Sequence, residues 1–543
     1  MSRPLPAVFS LTLAALCPAL HASDPALEIT VIARDGDVVP GVGTITGIQG
    51  LAVNDLGQTL VTVYTDHADT SADEVVLLDG VLHLREGEPL ISPPGAAIGS
   101  FGSLHLDANG DTGWNLGLDG TAGTQDDAGV YWNTSLLVQE GDPVSAPGVT
   151  PGSVFTRFWG TAQSGAGPLL VSASIDDPLI AGTLNPLLLQ LDPTTGVETA
   201  VAFGGMPAPG VPGTTILAIG DNQESYDRND AGDVMFSALV DPTYEGVVYR
   251  NGAVWAMEGA PSPVDGRSWS QVMGSPVSLN NDGDAVLLGQ LDGDYWTSYV
   301  ITRNGEKLYQ MGDTLPAFAP HALESLGAGA GAVVADRGEA ADTDPDVLWY
   351  GDWNGDVSQD SGLFLNEKLL LQEGADSVDG LPVQFIYAVS STHRMSEDGR
   401  YVVAYVRLEG NVDTAVKIDR GPWRSTGGSL AGAQGAPRLR GYGQNAVNAP
   451  FTLELDGALP NSTGVLVIGF SRVDQQLLGG TLVPSPDVLL FDMPTDADGG
   501  LRFTSTWPAG IPAGVQVYLQ HWIADPAAPG GFSASNGVEA TAQ

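Results

Sequence analysis

The stretch from Gly47 to Leu90, GIQGLAVNDLGQTLVTVYTDHADTSADEVVLLDGVLHLREGEPL, decides the fold of this chain. It opens with the apolar run GIQGLAV, which meets the turn NDLG ending at Gly57. QTLVTVYTD then alternates apolar and polar side chains, the loop DHADTSAD intervenes, EVVLLDG follows, and VLHLREGE closes. Alternation of period two, bounded by Asn, Asp and Gly, reads as short strands joined by turns. Four such strands in succession predict one blade of a β-propeller.

The closing phrase recurs along the chain. RDGD stands around Gly36, REGEP at Gly87, QEGDP at Gly141, FGGMP at Gly205, MEGAP at Gly259, QMGD at Gly312 and QEGA at Gly374, at steps of 51, 54, 64, 54, 53 and 62 residues. The turn phrase runs in phase with it, ending at Gly57, Gly110, Gly167, Gly232, Gly283, Gly338 and Gly399, at steps of 53, 57, 65, 51, 55 and 61. Two marks that lengthen and shorten together define a repeated unit, which buries its apolar faces only by stacking on its neighbours. Asp79-Gly80, Asn251-Gly252 and Asn304-Gly305 add hairpin signals between third and fourth strands, because a type I′ turn needs positive φ at both central positions.

The ends of the array complement each other. It begins with EITVIARDGD, a fourth-strand phrase with nothing before it, and finishes after Gly399 with YVVAYVRL and TAVKID but no eighth glycine phrase. The strand near Ile29 to Arg34 is therefore expected beside Ala415 to Asp419, completing the last blade and leaving no open sheet edge in the ring. The expected fold is all-β: a seven-bladed β-propeller over residues 23–420, closed by its N-terminal strand, then a Gly/Ser/Pro linker over 421–434 and a C-terminal β-sandwich over 435–543.

Residues 1–22 read as a secretory signal peptide, with Arg3 at the start, an apolar stretch from Ala7 to Leu16, and Ala22 before Ser23. The apolar part is too short for a membrane span. Lipidation at Cys17 fits poorly with Leu16 before it and Pro18 after it, and cleavage after Ala22 removes the only cysteine. The mature chain is then expected outside the cytoplasm, secreted, periplasmic or at the cell surface, without disulfide or thiol chemistry. The 21 Lys and Arg against 65 Asp and Glu leave a net charge of −44, a field that repels phosphate backbones and anionic lipid. Nucleic acid is excluded as a partner on that ground. With 43% hydrophobic and only 16% charged residues, the chain has the apolar content for large cores.

The N-x-x-G turns followed by a strand resemble the bacterial secreted proteins built from tandem Asn-x-x-Gly-x-x-Ala-Phe repeats, over roughly residues 27–420. NDAGDVMF from Asn229 to Phe236 comes nearest to the full phrase, while the copies at Ser164, Ala335 and Ser396 lack the opening Asn. The tail, with ALPNSTGVLVIGFS, TDADG and VYLQHW, resembles a C-terminal sandwich of secreted proteins from environmental bacteria. Neither resemblance implies a catalytic activity; both imply export and an all-β fold.

Acidic loops between second and third strands are the strongest polar feature: Asp66, Asp69 and Asp73; Asp119, Asp126 and Asp127; Asp352, Asp356 and Asp360. Clustered carboxylates suit calcium, which takes six to eight oxygens, and Asp119, Asp126 and Asp127 are the candidate ligands; solvated loop acids are the alternative. The run from Asp107 to Asp111 looks like a calcium phrase but stands in register with the other turns and reads as a hairpin turn. His67, His83, His105, His321, His393 and His521 are scattered without HExxH spacing, and no GxSxG elbow occurs, the segment Gly427 to Ala431 missing it by one residue. Trp132, Trp255, Trp296, Trp349 and Trp353 near blade edges read as packing between blades, with sugar stacking as the alternative. The expected function is an exported, non-catalytic binding or surface-associated protein for a glycan or protein ligand, without cofactor. The alternatives are an extracellular polysaccharide hydrolase or lyase acting at the propeller face, assisted by calcium, and a structural protein of the cell envelope. Acids, His or Arg converging in one axial pocket would favour the enzyme; a shallow apolar or aromatic face would favour binding.

Overall fold

The computed structural model describes residues 26–162, 167–180, 185–336 and 345–543. The expected signal peptide, Cys17, and parts of the turn phrases before Gly167 and Gly338 lie outside them. The chain is all-β, folded into many small antiparallel sheets, and no helix among the described residues is long and apolar enough to cross a membrane. It divides into two compact units, one formed by Thr30–Asp336 with Asp346–Lys417, the other centred on Ile418–Gln543.

In the larger unit, sheets follow one another along the chain. The first contains Gly43–Val53, Thr59–Thr65, Glu74–Leu78 and Val81–Arg85, with Val38–Val39 added at its start. The second holds Ala97–Leu106, Thr112–Asp119, Ala128–Trp132 and Ser135–Gln139; the third holds Val154–Ala162, Leu169–Asp176, Asn185–Leu191 and Glu198–Phe203. In the fourth, fifth and sixth sheets the first strand is broken in two, as in Thr215–Ile219 and Tyr226–Arg228, which both pair with Val234–Asp241. The seventh ends on Tyr401–Leu408 and Val412–Asp419, and the strand Glu28–Arg34 lies beside the latter.

The recurring glycine phrase is the splice between sheets. All of its glycines, from Gly36 to Gly374, have φ between +68° and +93°. Each N–H donates to a carbonyl at the start of the following strand run, and that residue's N–H donates back: Gly87 to Ile98 at 2.7 Å and Ile98 to Glu88 at 3.0 Å; Gly374 to Val383 at 2.7 Å and Val383 to Asp376 at 2.9 Å. The turn phrase makes the second link. Asn54 holds its own turn by accepting from Leu56 N and Gln58 N, and its Nδ2 donates to Asp107 O at 2.8 Å in the neighbouring turn. Asn229 reaches Asn280 O and Asn280 reaches Ala335 O in the same way, both at 2.8 Å.

Apolar cores lie between consecutive sheets. Leu60 and Val76 pack with Ile98 and Trp114, Met235 and Val248 with Leu279 and Leu287, and Ile301 with Trp349 and Phe364. Another cluster joins the first sheet to the seventh, through Val61 and Val63 against Val403 and Ala415, with Ala33 of the N-terminal strand inside it. The hairpin signals are borne out: Asp79, Asn251 and Asn304 have φ of 50°, 49° and 53°, each followed by a positive-φ glycine.

In the other unit, one sheet takes the order Trp423–Gly427, Gly537–Thr541, Gln516–Ala524, Thr463–Gly469 and Val488–Pro494. A second sheet pairs Arg438–Tyr442 and Leu501–Thr506 with Pro450–Asp456. Phe451, Leu453 and Leu455 meet Leu466, Leu519 and Ile523 in a shared core. Composition predicts a plain Gly/Ser/Pro linker over residues 421–434, but the structure pairs part of it into a sheet. Trp423–Gly427 pairs with Gly537–Thr541, and Leu430 bridges to Ala534, because backbone pairing there tolerates small residues that carry no apolar pattern of their own.

Candidate functional site

The structure does not gather Asp119, Asp126 and Asp127 into one ligand set. Asp126 closes its own loop, accepting from Ala122 N at 3.1 Å and Gly123 N at 2.9 Å. Among the described residues no three His, Cys, Asp or Glu side chains stand together so as to hold a metal ion. Asp69 and Asp356 are likewise turned onto Ser71 and Ser358 two residues on. Asp107 takes Asn109 N and Asp111 N, and Gly110 N reaches Asp107 O at 3.0 Å, which is turn geometry.

Asp119 and Asp127 do line an open groove of about 550 Å³ with Asn115, Glu140 and Arg157. Burial, then a hydrogen bond and repulsion from Asp127, push the Glu140 carboxyl up to about 8. A protonated acid in a groove is a general-acid candidate. Its place, however, belongs to the repeat. Glu140 precedes the splice glycine, as do Glu86 and Glu373, and both of those are also raised, first by burial. Glu86 N donates to Glu74 O, Glu140 N to Ala128 O and Glu373 N to Ser361 O, each at the start of a third strand. The same register thus recurs in three units, with a raised carboxyl in each.

A convergence of Glu, Arg and His exists, and sequence reasoning missed it. Glu224 pairs with Arg394 at 2.6 Å although 170 residues separate them, and also accepts from Ser390 Oγ and Ser391 N, both at 2.9 Å. Burial would raise the Glu224 carboxyl, but Arg394 and these donors hold it below its ordinary value. His105 bonds Thr161 O and His393 bonds Gly331 O, and burial depresses both imidazoles to about 4. Ser103 Oγ is engaged by Asn115 and Thr161. These groups bond one another and the backbone of distant sheets, tying those sheets together, while His393 Nδ1 has no hydrogen-bond partner among the described residues.

The tryptophans divide. Trp349 and Trp353 are buried and stack with Phe364 and Phe318, at 4.5 and 4.8 Å between ring centroids. Trp132 and Trp255 are partly buried against core clusters. Trp296 departs from the packing expectation: it is 60% exposed beside Tyr295, 62% exposed, the rings edge-on at 5.3 Å. Both sit on a single 3-10 turn, Tyr295–Thr297, between second and third strands of the fifth sheet. Asp294 caps this turn by accepting from Trp296 N at 3.2 Å, and Ser298 N closes onto Tyr295 O at 3.1 Å. Arg267 clamps the loop from outside, donating to Thr297 Oγ1 at 3.0 Å and to Asp292 at 3.3 Å, while Gln310 Nε2 reaches Thr297 O at 2.7 Å. Two large flat rings are thus presented to solvent on a loop with little freedom left to lose on binding. A tryptophan two residues after an Asp-Gly-Asp turn was the available signal, but strand and loop tryptophans look alike in composition. No protein-family model matches this chain, and no curated protein matches it.

Proposed function

We propose that this chain is an exported, non-catalytic binding protein: a seven-bladed β-propeller closed by its N-terminal strand and followed by a β-sandwich, taking a glycan or protein ligand on its loop rim. The repeated glycine splice, the cores between consecutive sheets and the cluster joining first and last sheets support the propeller reading. The Asn54, Asn229 and Asn280 links support the likeness to the tandem Asn-x-x-Gly proteins. The observation that carries binding is the rigid, exposed Tyr295–Trp296 pair, since aromatic anchors on pre-ordered loops are what recognition surfaces use. Export rests on residues 1–22 and on the acidic composition.

A second reading, hydrolysis or elimination on a polysaccharide in the groove beside Glu140, draws on that residue's raised carboxyl. Recurrence of the same environment at Glu86 and Glu373 weighs against a dedicated acid. A glycan array on the purified protein, followed by a product assay on every glycan bound, separates the two. Binding lost in Trp296→Ala with no product formed supports the first. Turnover abolished in Glu140→Gln and retained in Trp296→Ala supports the second.

A further inference from the structure

The Tyr295–Trp296 loop has counterparts. In the third to sixth sheets the connection between second and third strands presents an exposed large apolar residue: Leu179, Tyr244, the Tyr295–Trp296 pair and Val357. Each stands among acids, in the segments DDPLI (176–180), DPTYE (241–245), DGDYW (292–296) and DWNGDV (352–357). None of these segments contains Lys or Arg, and the cation paired with them here, Arg267, neutralises Asp292 and leaves Asp294 as the exposed acid of its loop. The corresponding loops of the first two sheets, 66–73 and 119–127, are acidic as well but carry no apolar tip. Single exposed apolar residues need no explanation. Four successive units repeat one at the same connection, and the exposed acids Asp176, Asp294 and Asp356 stand near these tips.

Resting on the binding reading above, we infer that this arc of loops takes an amino-sugar polymer, whose sugar faces stack on the apolar tips while its protonated amines meet the carboxylates. The sign of the charge selects among polymers: a chain of net charge −44 repels uronate- or sulfate-bearing glycans and attracts cationic ones. An ammonium can also approach the faces of Trp296 and Tyr295, an attraction a neutral sugar lacks. Asp294 has the geometry for both roles, one carboxylate oxygen capping Trp296 N within a segment exposed throughout.

The test uses the full chain and three hexamers of equal length, of β-1,4-linked glucosamine, of its N-acetylated form and of glucose, by calorimetry at low and high salt. The glucosamine hexamer is expected to bind at least about tenfold more tightly than either neutral one, with an advantage that shrinks as salt screens the carboxylates. Trp296→Ala should weaken it about tenfold at an unchanged melting temperature. Asp294→Asn keeps an oxygen to cap the turn and removes only the charge, so it should narrow the preference over the N-acetylated hexamer. Equal binding of all three hexamers, lost in Trp296→Ala, overturns the amine inference and leaves the binding reading standing. Displacement by an oligolysine peptide as effective as the glucosamine hexamer overturns the sugar part. Absence of binding by any hexamer, or binding indifferent to Trp296, sinks the inference and removes the carrying observation of the binding reading.

Discussion

The backbone N–H of Asp398 donates to the carboxylate of Asp55 at 3.0 Å across 343 residues of sequence, joining the turn of the last sheet to the turn of the first. Burial, then Asp398 and, further off, Glu397 and Asp336, push the Asp55 carboxyl up to about 7. Asp55→Asn keeps an acceptor for Asp398 N and removes the repelled charge. Its melting temperature should exceed the parent's at pH 8, by an amount equivalent to about 1 kcal/mol, and approach it as pH falls toward 4, where Asp55 is protonated in the folded and the unfolded chain alike. Equal melting at both pH values would show that the turn contact carries no electrostatic strain.

Stability should fall from pH 5 to pH 8. Burial raises Asp55, Glu74 and Asp227 to about 7, Glu140 to about 8, and Asp336 and Asp352 to about 6. These groups stabilise the fold while protonated, and that contribution is lost as pH rises through the folded values. Burial depresses His105, His393 and His521 to about 4, so their contribution is present above 6.5 and lost as pH falls. The raised acids outnumber the histidines, and the net charge adds self-repulsion in the same direction. Thermal melts across this range check the sign; a flat or rising profile would contradict it.

His521 is buried in the second unit with both ring nitrogens unpaired. Replacing an unsatisfied polar group by an apolar one of similar size removes a desolvation penalty. His521→Leu should raise that unit's stability by about 1 kcal/mol and flatten its loss between pH 6.5 and 4, as read by denaturant unfolding at both pH values.

The splice glycines should differ in tolerance despite a shared φ. A Cβ at Gly374 would lie 2.0 Å from Ser358 O, whereas one at Gly36 meets nothing within 4 Å. Gly36→Ala is expected to lose only the strain of its left-handed backbone, about 1 kcal/mol. Gly374→Ala must also move a backbone, costing about 3 kcal/mol or more. Equal losses would remove the close-approach argument.

Deleting Glu28–Asp37 takes away the strand beside Val412–Asp419 and uncovers the cluster around Ala33, Val403 and Ala415. The deleted protein should aggregate or lose the larger unit's cooperative melt, while near-parental monomeric melting would refute the role of that strand in closing the unit.

How far these features could be read in advance follows from their range. The splice glycines, the Asn-Gly hairpins and the strand alternation are local: each is set by the φ a residue adopts or by a period of two, within a few positions. The complement of strands at the two ends followed from counting. The linker reading of 421–434 failed because strand pairing is written in the partner, Gly537–Thr541, and not in the Gly and Ser that accept it.

By itself the sequence determined the all-β class, the repeat and its phase, and the sign of the electrostatic field, because local backbone preferences and summed charge need no neighbours. Only the tertiary structure decided that Glu224 meets Arg394, that Glu140 shares a hydrogen bond with Asp127, and that Trp349 is buried while Trp296 faces solvent. Burial and pairing are properties of contacts made across 13 to 170 residues of chain, and the same side chain becomes core, ion-pair partner or exposed platform according to which sheet closes over it.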